Sequence, residues 1–354
     1  MLFAYIHKMK PKTKILLLVL ILVVLYVLYI FNSTGFFRTI ENTTVSSEQV
    51  EMTGAEDMQI RYEDNFMLFS SDDRASRRDG DTIQGHLYFM DLLEENSKPI
   101  QLTKDLAFPF FPHGISMFRK SANEYVVYVV NHVDQEHSIE VFKLFGDSLV
   151  HKNPLKDPAM ISPNDVVAIG ENEFYFTNDH GKTKGIGKVL EEYVPLAGSN
   201  VIYFDGNSYQ EVADRILYAN GINFDDNRNL LFVASSRGFE VKVYNVGADR
   251  NLQFIEDIDC ATGIDNIEFD ESGKLWIGCH PSLLAFASYA KGNSTTAPSE
   301  VISIDYRGEG DYSIESIYVN DGNDISAASV AAPYQNKLFV GNVMDDHFLI
   351  LDRN

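Results

Sequence analysis

The sequence predicts an all-β domain carried behind one apolar N-terminal helix. Three observations lead there. Short runs rich in β-branched and aromatic residues recur along most of the chain, turn residues punctuate them, and only one segment beyond the N-terminal apolar stretch repeats with helical periodicity.

The apolar stretch comes first. Ile15–Phe31 is an unbroken run of 17 apolar residues, roughly 26 Å long as a helix and enough for a bilayer's hydrocarbon core. Lys8, Lys10, Lys12 and Lys14 precede it, and only Arg38 follows before Glu41. The positive-inside rule therefore places residues 1–14 in the cytosol and the body of the chain in a lumen or outside. The run ends in Tyr29-Ile30-Phe31-Asn32 rather than in the small residues of a cleavage site, so 15–31 reads as a retained signal anchor. The expectation is a single-pass type II protein of the endoplasmic reticulum or plasma membrane. Asn32, Asn42 and Asn293 each open an Asn-x-Ser/Thr sequon, which suits a glycosylated luminal body. Residues 32–50 are polar and Ser/Thr-rich and read as a stalk; 51–354 read as the folded domain.

Within that domain the strand-like runs are Tyr125–Val130, Ile139–Leu144, Glu173–Thr177, Val201–Phe204, Leu230–Ala234, Val241–Val246, Lys274–Gly278, Val301–Asp305, Ile314–Val319, Lys337–Gly341 and Phe348–Leu351. Asp205-Gly206, Asp225-Asp226-Asn227 and Ser272-Gly273 supply turns between several of them. This pattern by itself fits a sandwich as well as a propeller. The helical exception is Ile186–Val194, where Ile186, Val189, Leu190, Tyr193 and Val194 share one face; it reads as a helix packed on top of the domain.

The formal charge of -22 excludes nucleic acid as a partner, because phosphate binding needs clustered Lys and Arg. Most of the acidity reads as a soluble, self-repelling surface. Of the two cysteines, Cys260 and Cys279, spacing alone does not settle whether they pair.

A minority of the acidic residues stand out. Glu56-Asp57, Asn164-Asp165, Asn220 and Asp265-Asn266 are acidic or amide positions spread over the chain, with His113 and His132 between the first two pairs. Taken singly, such pairs merely make turns. Brought together, hard oxygen donors are what a calcium ion requires, and paired imidazoles beside it are what a hydrolase needs to take a proton from water. Asp321-Gly322-Asn323-Asp324 resembles an EF-hand start, but Ala332 stands where the closing Glu belongs. No Gly-x-Ser-x-Gly elbow, His-Glu-x-x-His zinc motif or phosphate-binding Gly-rich loop occurs, which argues against covalent acyl chemistry, zinc proteolysis and nucleotide hydrolysis.

Eight stretches in register, from about residue 51 to the C-terminus, resemble the calcium-dependent paraoxonases, the arylesterase/lactonases. They are Thr53–Asp57, Pro112–Ser116, Val130–His132, Asn164–Ala168, Thr177–His180, Ala219–Asn223, Ile264–Asn266 and Leu275–Pro281. The resemblance implies a six-bladed β-propeller with two calcium ions in its central channel. It implies that Glu56, Asn164, Asn220, Asp265 and Asn266 surround a catalytic ion, and that Asp57, Asp165 and the Ile115 carbonyl hold a structural one. His113 nearer the metal and His132 behind it would be the base pair, His280 a second candidate base in the substrate pocket, Tyr218 an aromatic pocket wall, and His180 structural. The same resemblance makes 186–194 a lid that touches lipid as an alternative to a packed helix. It also makes Cys279 an unpaired cysteine.

Two departures matter. No cysteine stands near residue 50 or at the C-terminus, where the family's mammalian enzymes tie their chain ends, so closure must rest on strand pairing. Ser70–Gly85 is charged where vertebrate members carry a tyrosine-bearing lid, which leaves the expected chemistry in place and alters the substrate wall. The expected activity is hydrolysis of small-molecule lactones or aryl esters. The alternative is a non-enzymatic accessory protein that, like some paraoxonase-like proteins with this single-anchor layout, assists assembly of degenerin-type membrane channels.

Overall fold

Six four-stranded antiparallel sheets stand around a common axis. The computed structural model describes residues 10–94, 97–133 and 136–353, apart from the side chains of 192 and 193; Lys8 and the Tyr193 side chain thus lie outside the described residues. Helix α1 (Pro11–Ser33) leads into the propeller, with no residue buried. It is long and apolar enough to cross a membrane. Its end is fastened to the domain: Arg237 donates to Ser33 O at 2.7 Å, and the Leu283 amide donates to Thr34 O at 2.9 Å.

Blade one is β2 (Ala55–Arg61) to β5 (Ile100–Gln101), and blade two is β6 (Pro112–Ser121) to β9 (Ser148–Leu155). Blade three is β10 (Pro163–Gly170) to β13 (Tyr209–Ile216), and blade four is β14 (Ala219–Asp225) to β17 (Leu252–Asp259). Blade five is β18 (Gly263–Phe269) to β21 (Asp311–Asn320). Blade six takes three strands from the C-terminus, β22 (Ala328–Tyr334), β23 (Lys337–Asn342) and β24 (His347–Asp352), and its outer strand from the N-terminal side, β1 (Ser47–Glu51). The register Ser47↔Leu351 to Glu51↔His347 closes the ring without a disulfide. Both cysteines are free and buried.

That closure corrects the stalk boundary. Residues 47–50 belong to a blade, and residues before them lie along blade five. The Thr43 amide donates to Val319 O, and Arg38 makes two hydrogen bonds to the buried carboxylate of Glu300, at 2.7 and 2.6 Å.

Apolar clusters fill the gaps between neighbouring blades. Met58, Phe69, Val330, Phe339 and Phe348 join blade six to blade one, and Leu87, Ile115, Val127 and Phe142 join blade one to blade two. Side chains alternate across each strand, so every blade presents one apolar face to each neighbour.

The helix read at 186–194 forms as α3 (Gly185–Tyr193), but it is not packed on the propeller. Ile186, Val189 and Leu190 are 79, 53 and 43% exposed. Two short helices complete the top: α2 (Arg74–Arg78), capped by Asp73 Oδ1 accepting from the Ser76 amide at 2.9 Å, and α4 (Leu283–Ala290).

Candidate active site

The innermost strands of blades one to five all break register at one place. Pairing skips between Ala55 and Met58, Pro112 and Ile115, Pro163 and Val166, Ala219 and Ile222, and Ile264 and Ile267. The partner strand advances two residues while the inner strand advances three. Each skip is therefore a β-bulge, which leaves two residues facing one and re-aims their side chains. The bulged pairs are Glu56-Asp57, His113-Gly114, Asn164-Asp165, Asn220-Gly221 and Asp265-Asn266. The chemistry-bearing residues stand at one level because the bulges do.

Two glycines let adjacent inner strands close around the axis. A Cβ on Gly114 would lie 2.5 Å from Asp165 Cα, and one on Gly221 would lie 2.6 Å from Asn266 Cα. No other residue fits there without moving the next blade.

Glu56, Asn164, Asn220, Asp265 and Asn266 are all buried. The amide nitrogens are used: Asn266 Nδ2 donates to Glu56 O at 3.1 Å, Asn220 Nδ2 to Ser236 Oγ at 3.1 Å, and Asn164 Nδ2 reaches Asp179 Oδ2 at 3.5 Å. Their oxygens are not. Glu56 Oε2 and Oδ1 of Asn164, Asn220 and Asn266 are buried without a hydrogen-bond partner. A buried unpaired oxygen costs about 1–3 kcal/mol, so four from the same ring call for a cation. Among the described residues no three His, Cys, Asp or Glu side chains gather around a metal position; the donors here are three amides and two carboxylates.

Burial pushes the Glu56 carboxyl up, but His113 and Arg74 outweigh it and hold its pKa at about 2. Asp265 faces His280, with Nε2 and Oδ2 2.8 Å apart, and the buried His280 ring stacks on Phe286 at 4.0 Å. Burial raises the Asp265 pKa against that contact.

Asp57 and Asp165 are satisfied differently. Asp57 Oδ2 accepts the Ile115 amide at 2.7 Å, and Asp165 Oδ2 accepts the Ile222 amide at 2.8 Å. Burial, then the neighbouring Glu56 charge, pushes Asp57 well above the carboxylate range; burial, then Asp57 itself, does the same to Asp165.

His113 Nε2 lies 3.0 Å from Glu56 Oε1, and its Nδ1 lies 2.7 Å from His132 Nε2. His137 extends the pair, its Nδ1 3.0 Å from His132 Nδ1. Burial, then the neighbouring histidines, takes the His132 pKa well below its ordinary value, and burial lowers that of His137 too.

Above these residues opens a pocket of about 370 Å³, lined by Glu56, His113, Asn164, Asn220, Asp265 and His280 and walled by Tyr218, Leu283 and Phe286. Tyr218 holds a left-handed φ of 63°, an uncommon conformation for a bulky residue. His180, read as structural, also lines the pocket, with Nδ1 2.7 Å from Asp179 Oδ1 and its ring edge-on to Tyr218. The sequon residues Asn32, Asn42 and Asn293 are exposed.

Sequence reasoning missed three residues. His137 pairs with His132 across β7 (Glu124–Val133) and β8 (Glu136–Phe145), and two histidines flanking a short hairpin was the signal available. Arg74, Nη2 3.7 Å from Glu56 Oε2, sits in the charged stretch Ser70–Gly85. Ser329, in the shorter register break of blade six, donates to Glu56 O at 2.6 Å; nothing in its local sequence marked it.

A closed propeller whose inner bulges bring carboxylates, amides and His113, backed by His132, to one pocket defines a hydrolase-type site. The chain belongs to the arylesterase family, whose model matches residues 80–349. Serum paraoxonase/arylesterase 2 of Rattus norvegicus is 33% identical over 265 residues, 73% of this chain and 74% of that protein. Serum paraoxonase/arylesterase 1 of Mus musculus is 32% identical over 301 residues, 82% and 84% of the two chains. Among solved structures, a luciferin-regenerating enzyme superposes with TM-score 0.55 over 87% of this chain and 95% of its own, at 14% identity, a likeness of fold alone.

Proposed function

We propose that this chain is a calcium-dependent hydrolase of aryl esters and lactones, held by α1 in a membrane with the propeller on the luminal or extracellular side. The carrying observation is the set of four unpaired buried oxygens beneath His113. Glu56 and Asp265 match the double charge of calcium, and the Oδ1 atoms of Asn164, Asn220 and Asn266 add neutral ligands. Asp57, Asp165 and the Ile115 carbonyl are the candidates for a second, structural ion. No oxygen is orphaned there; the support is two buried carboxylates that repel one another.

When bound, the ion supplies a Lewis-acid contact for the substrate carbonyl. The protein's own groups handle the proton. With the Glu56 carboxylate turned to the cation, His113 Nε2 would be released from its 3.0 Å contact with Glu56 Oε1 and would take a proton from the attacking water. His113 Nδ1 shares its hydrogen bond with His132 Nε2, which fixes the ring and steadies the charge it gains. The proton then returns from His113 Nε2 to the departing alkoxide or aryloxide. Tyr218, Leu283 and Phe286 shield the carbonyl from bulk water. The test is the metal content of purified protein together with hydrolysis of δ-valerolactone and phenyl acetate, before and after chelation. Activity lost with the metal and restored by calcium is expected; activity indifferent to chelation overturns the metal mechanism. Protease protection of tagged termini in sealed vesicles tests the orientation.

A further inference from the structure

We propose that Arg74 makes this pocket selective for esters and lactones that carry a carboxylate a few bonds from the scissile carbonyl. The inference rests on the hydrolase reading above and names its substrate class. Arg74 lines the pocket. Its side chain keeps 15% exposure, so part of it faces the cavity. Its Nη2 is buried without a partner, and the nearest carboxylates, Glu56 Oε2 and Asp72 Oδ2, are both 3.7 Å away.

Charge balance explains why that gap matters. Asp72 already pairs with Arg77 at 2.7 Å, and Arg77 lies over the Phe111 ring at 4.6 Å. Once Glu56 serves a cation, Arg74 and Arg77 share a single buried carboxylate, Asp72, which leaves one guanidinium charge uncompensated at the pocket wall. The other charged groups of the lining, Lys291 among them, have partners of their own. Arg237 donates to Ser33, Asp179 holds His180, Asp265 holds His280, and Glu191 accepts the amides of Gly181 and Lys182. A guanidinium with free donors in a partly dry pocket recognises a carboxylate through paired, charge-assisted hydrogen bonds. Because Arg74 reaches to within 3.7 Å of Glu56, an anion bound there sits beside the carbonyl position.

The experiment compares phenyl acetate with 2-carboxyphenyl acetate on the full-length, calcium-loaded protein, each corrected for its uncatalysed hydrolysis, as wild type, Arg74→Gln and Arg74→Lys. The wild type is expected to favour the carboxylated ester. Arg74→Gln should lower the carboxylated-to-neutral ratio of kcat/KM by about 10- to 100-fold, chiefly through KM, and Arg74→Lys should recover part of it. A wild type that favours phenyl acetate, or a ratio that Arg74→Gln leaves in place, overturns the proposal. Calorimetric binding of 2-hydroxybenzoate against phenol reads the same subsite without turnover. Carboxylate binding lost in Arg74→Gln supports the inference even if neither ester is hydrolysed, an outcome that would count against the hydrolase reading alone. Equal binding of the two phenols sinks it.

Discussion

Nδ1 of His113 sits 2.7 Å from Nε2 of His132, so the residue facing the ligand ring gives its far nitrogen wholly to a second imidazole. The two roles should separate by mutation. His113→Gln removes the group that touches the water, and kcat should fall by about 10²- to 10⁴-fold. His132→Gln removes only the ring's support and should cost about 10- to 100-fold. Steady-state kinetics on a neutral aryl ester decide the matter, and equal effects from the two changes would place His132 in direct contact with the reaction.

Removing the ion should change how stability depends on pH. Burial, with the charge of a neighbouring carboxylate, raises the pKa values of Asp57 and Asp165 well above the ordinary range. In metal-free protein the folded state therefore binds protons that the unfolded chain has released, and stability falls as pH rises above about 4. His132 and His137 act with the opposite sign. Their lowered pKa values leave the unfolded chain holding more protons below about pH 6.5, so that part of the stability grows toward neutrality. The histidines are common to both forms; the uncompensated carboxylates belong only to the chelated one. The gap in unfolding free energy between calcium-loaded and chelated protein, measured by urea melts, should thus widen from pH 5 to 8, by up to about 1.4 kcal/mol per pH unit for each proton involved. A gap that stays constant would show that no cation offsets these carboxylates.

The glycines in the bulges make a sharper claim about geometry. A Cβ at position 221 would strike Asn266 Cα and, at 2.5 Å, Asp265 O. Gly221→Ala must push β14 from β18, which separates Asn220 from Asp265 and Asn266. We expect about 1–3 kcal/mol of destabilisation from overpacking and a calcium affinity at least tenfold weaker. Unchanged affinity in a folded Gly221→Ala protein would mean that these residues do not share one ion.

What was legible follows the physics of each strand's place. Leu230–Ala234 and Lys337–Gly341 were readable because β15 (Leu230–Ser235) and β23 lie mid-blade, covered on both faces, and spell out apolar runs. None of the six innermost strands was read as a strand. Their openings, such as Pro163-Asn164-Asp165 and Ala219-Asn220-Gly221, carry residues that ordinarily make turns, and their bulges break the two-residue alternation on which strand reading depends. Function concealed structure there, while the same residues exposed the site to motif comparison. The outer strand β17 escaped for a different reason: Gln253, Glu256 and Asp257 sit at a solvent-facing edge where polarity carries no sign of strand. Three-dimensional partners such as Arg74 with Glu56, 18 positions apart, carried no local signal at all.

Ring closure supplies the last prediction. Lacking a disulfide between its ends, the propeller is held shut by the five-residue pairing of β1 with β24 and by Phe348, which is wholly buried. Phe348 meets Phe69 of blade one at 5.8 Å and Phe339 of its own blade at 6.5 Å, so a single side chain spans the seam. Phe348→Ala should cost about 3–5 kcal/mol, the range for truncating a buried aromatic. Phe254→Ala, at a 55% exposed position on an outer strand, should stay within about 0.5 kcal/mol. Urea melts of calcium-loaded protein measure both. If the seam is where unfolding begins, limited proteolysis of Phe348→Ala will cut first near β1, before any site in blades two to five. A first cut elsewhere would mean that the ring opens at another joint and that the β1–β24 pairing is not its weakest closure.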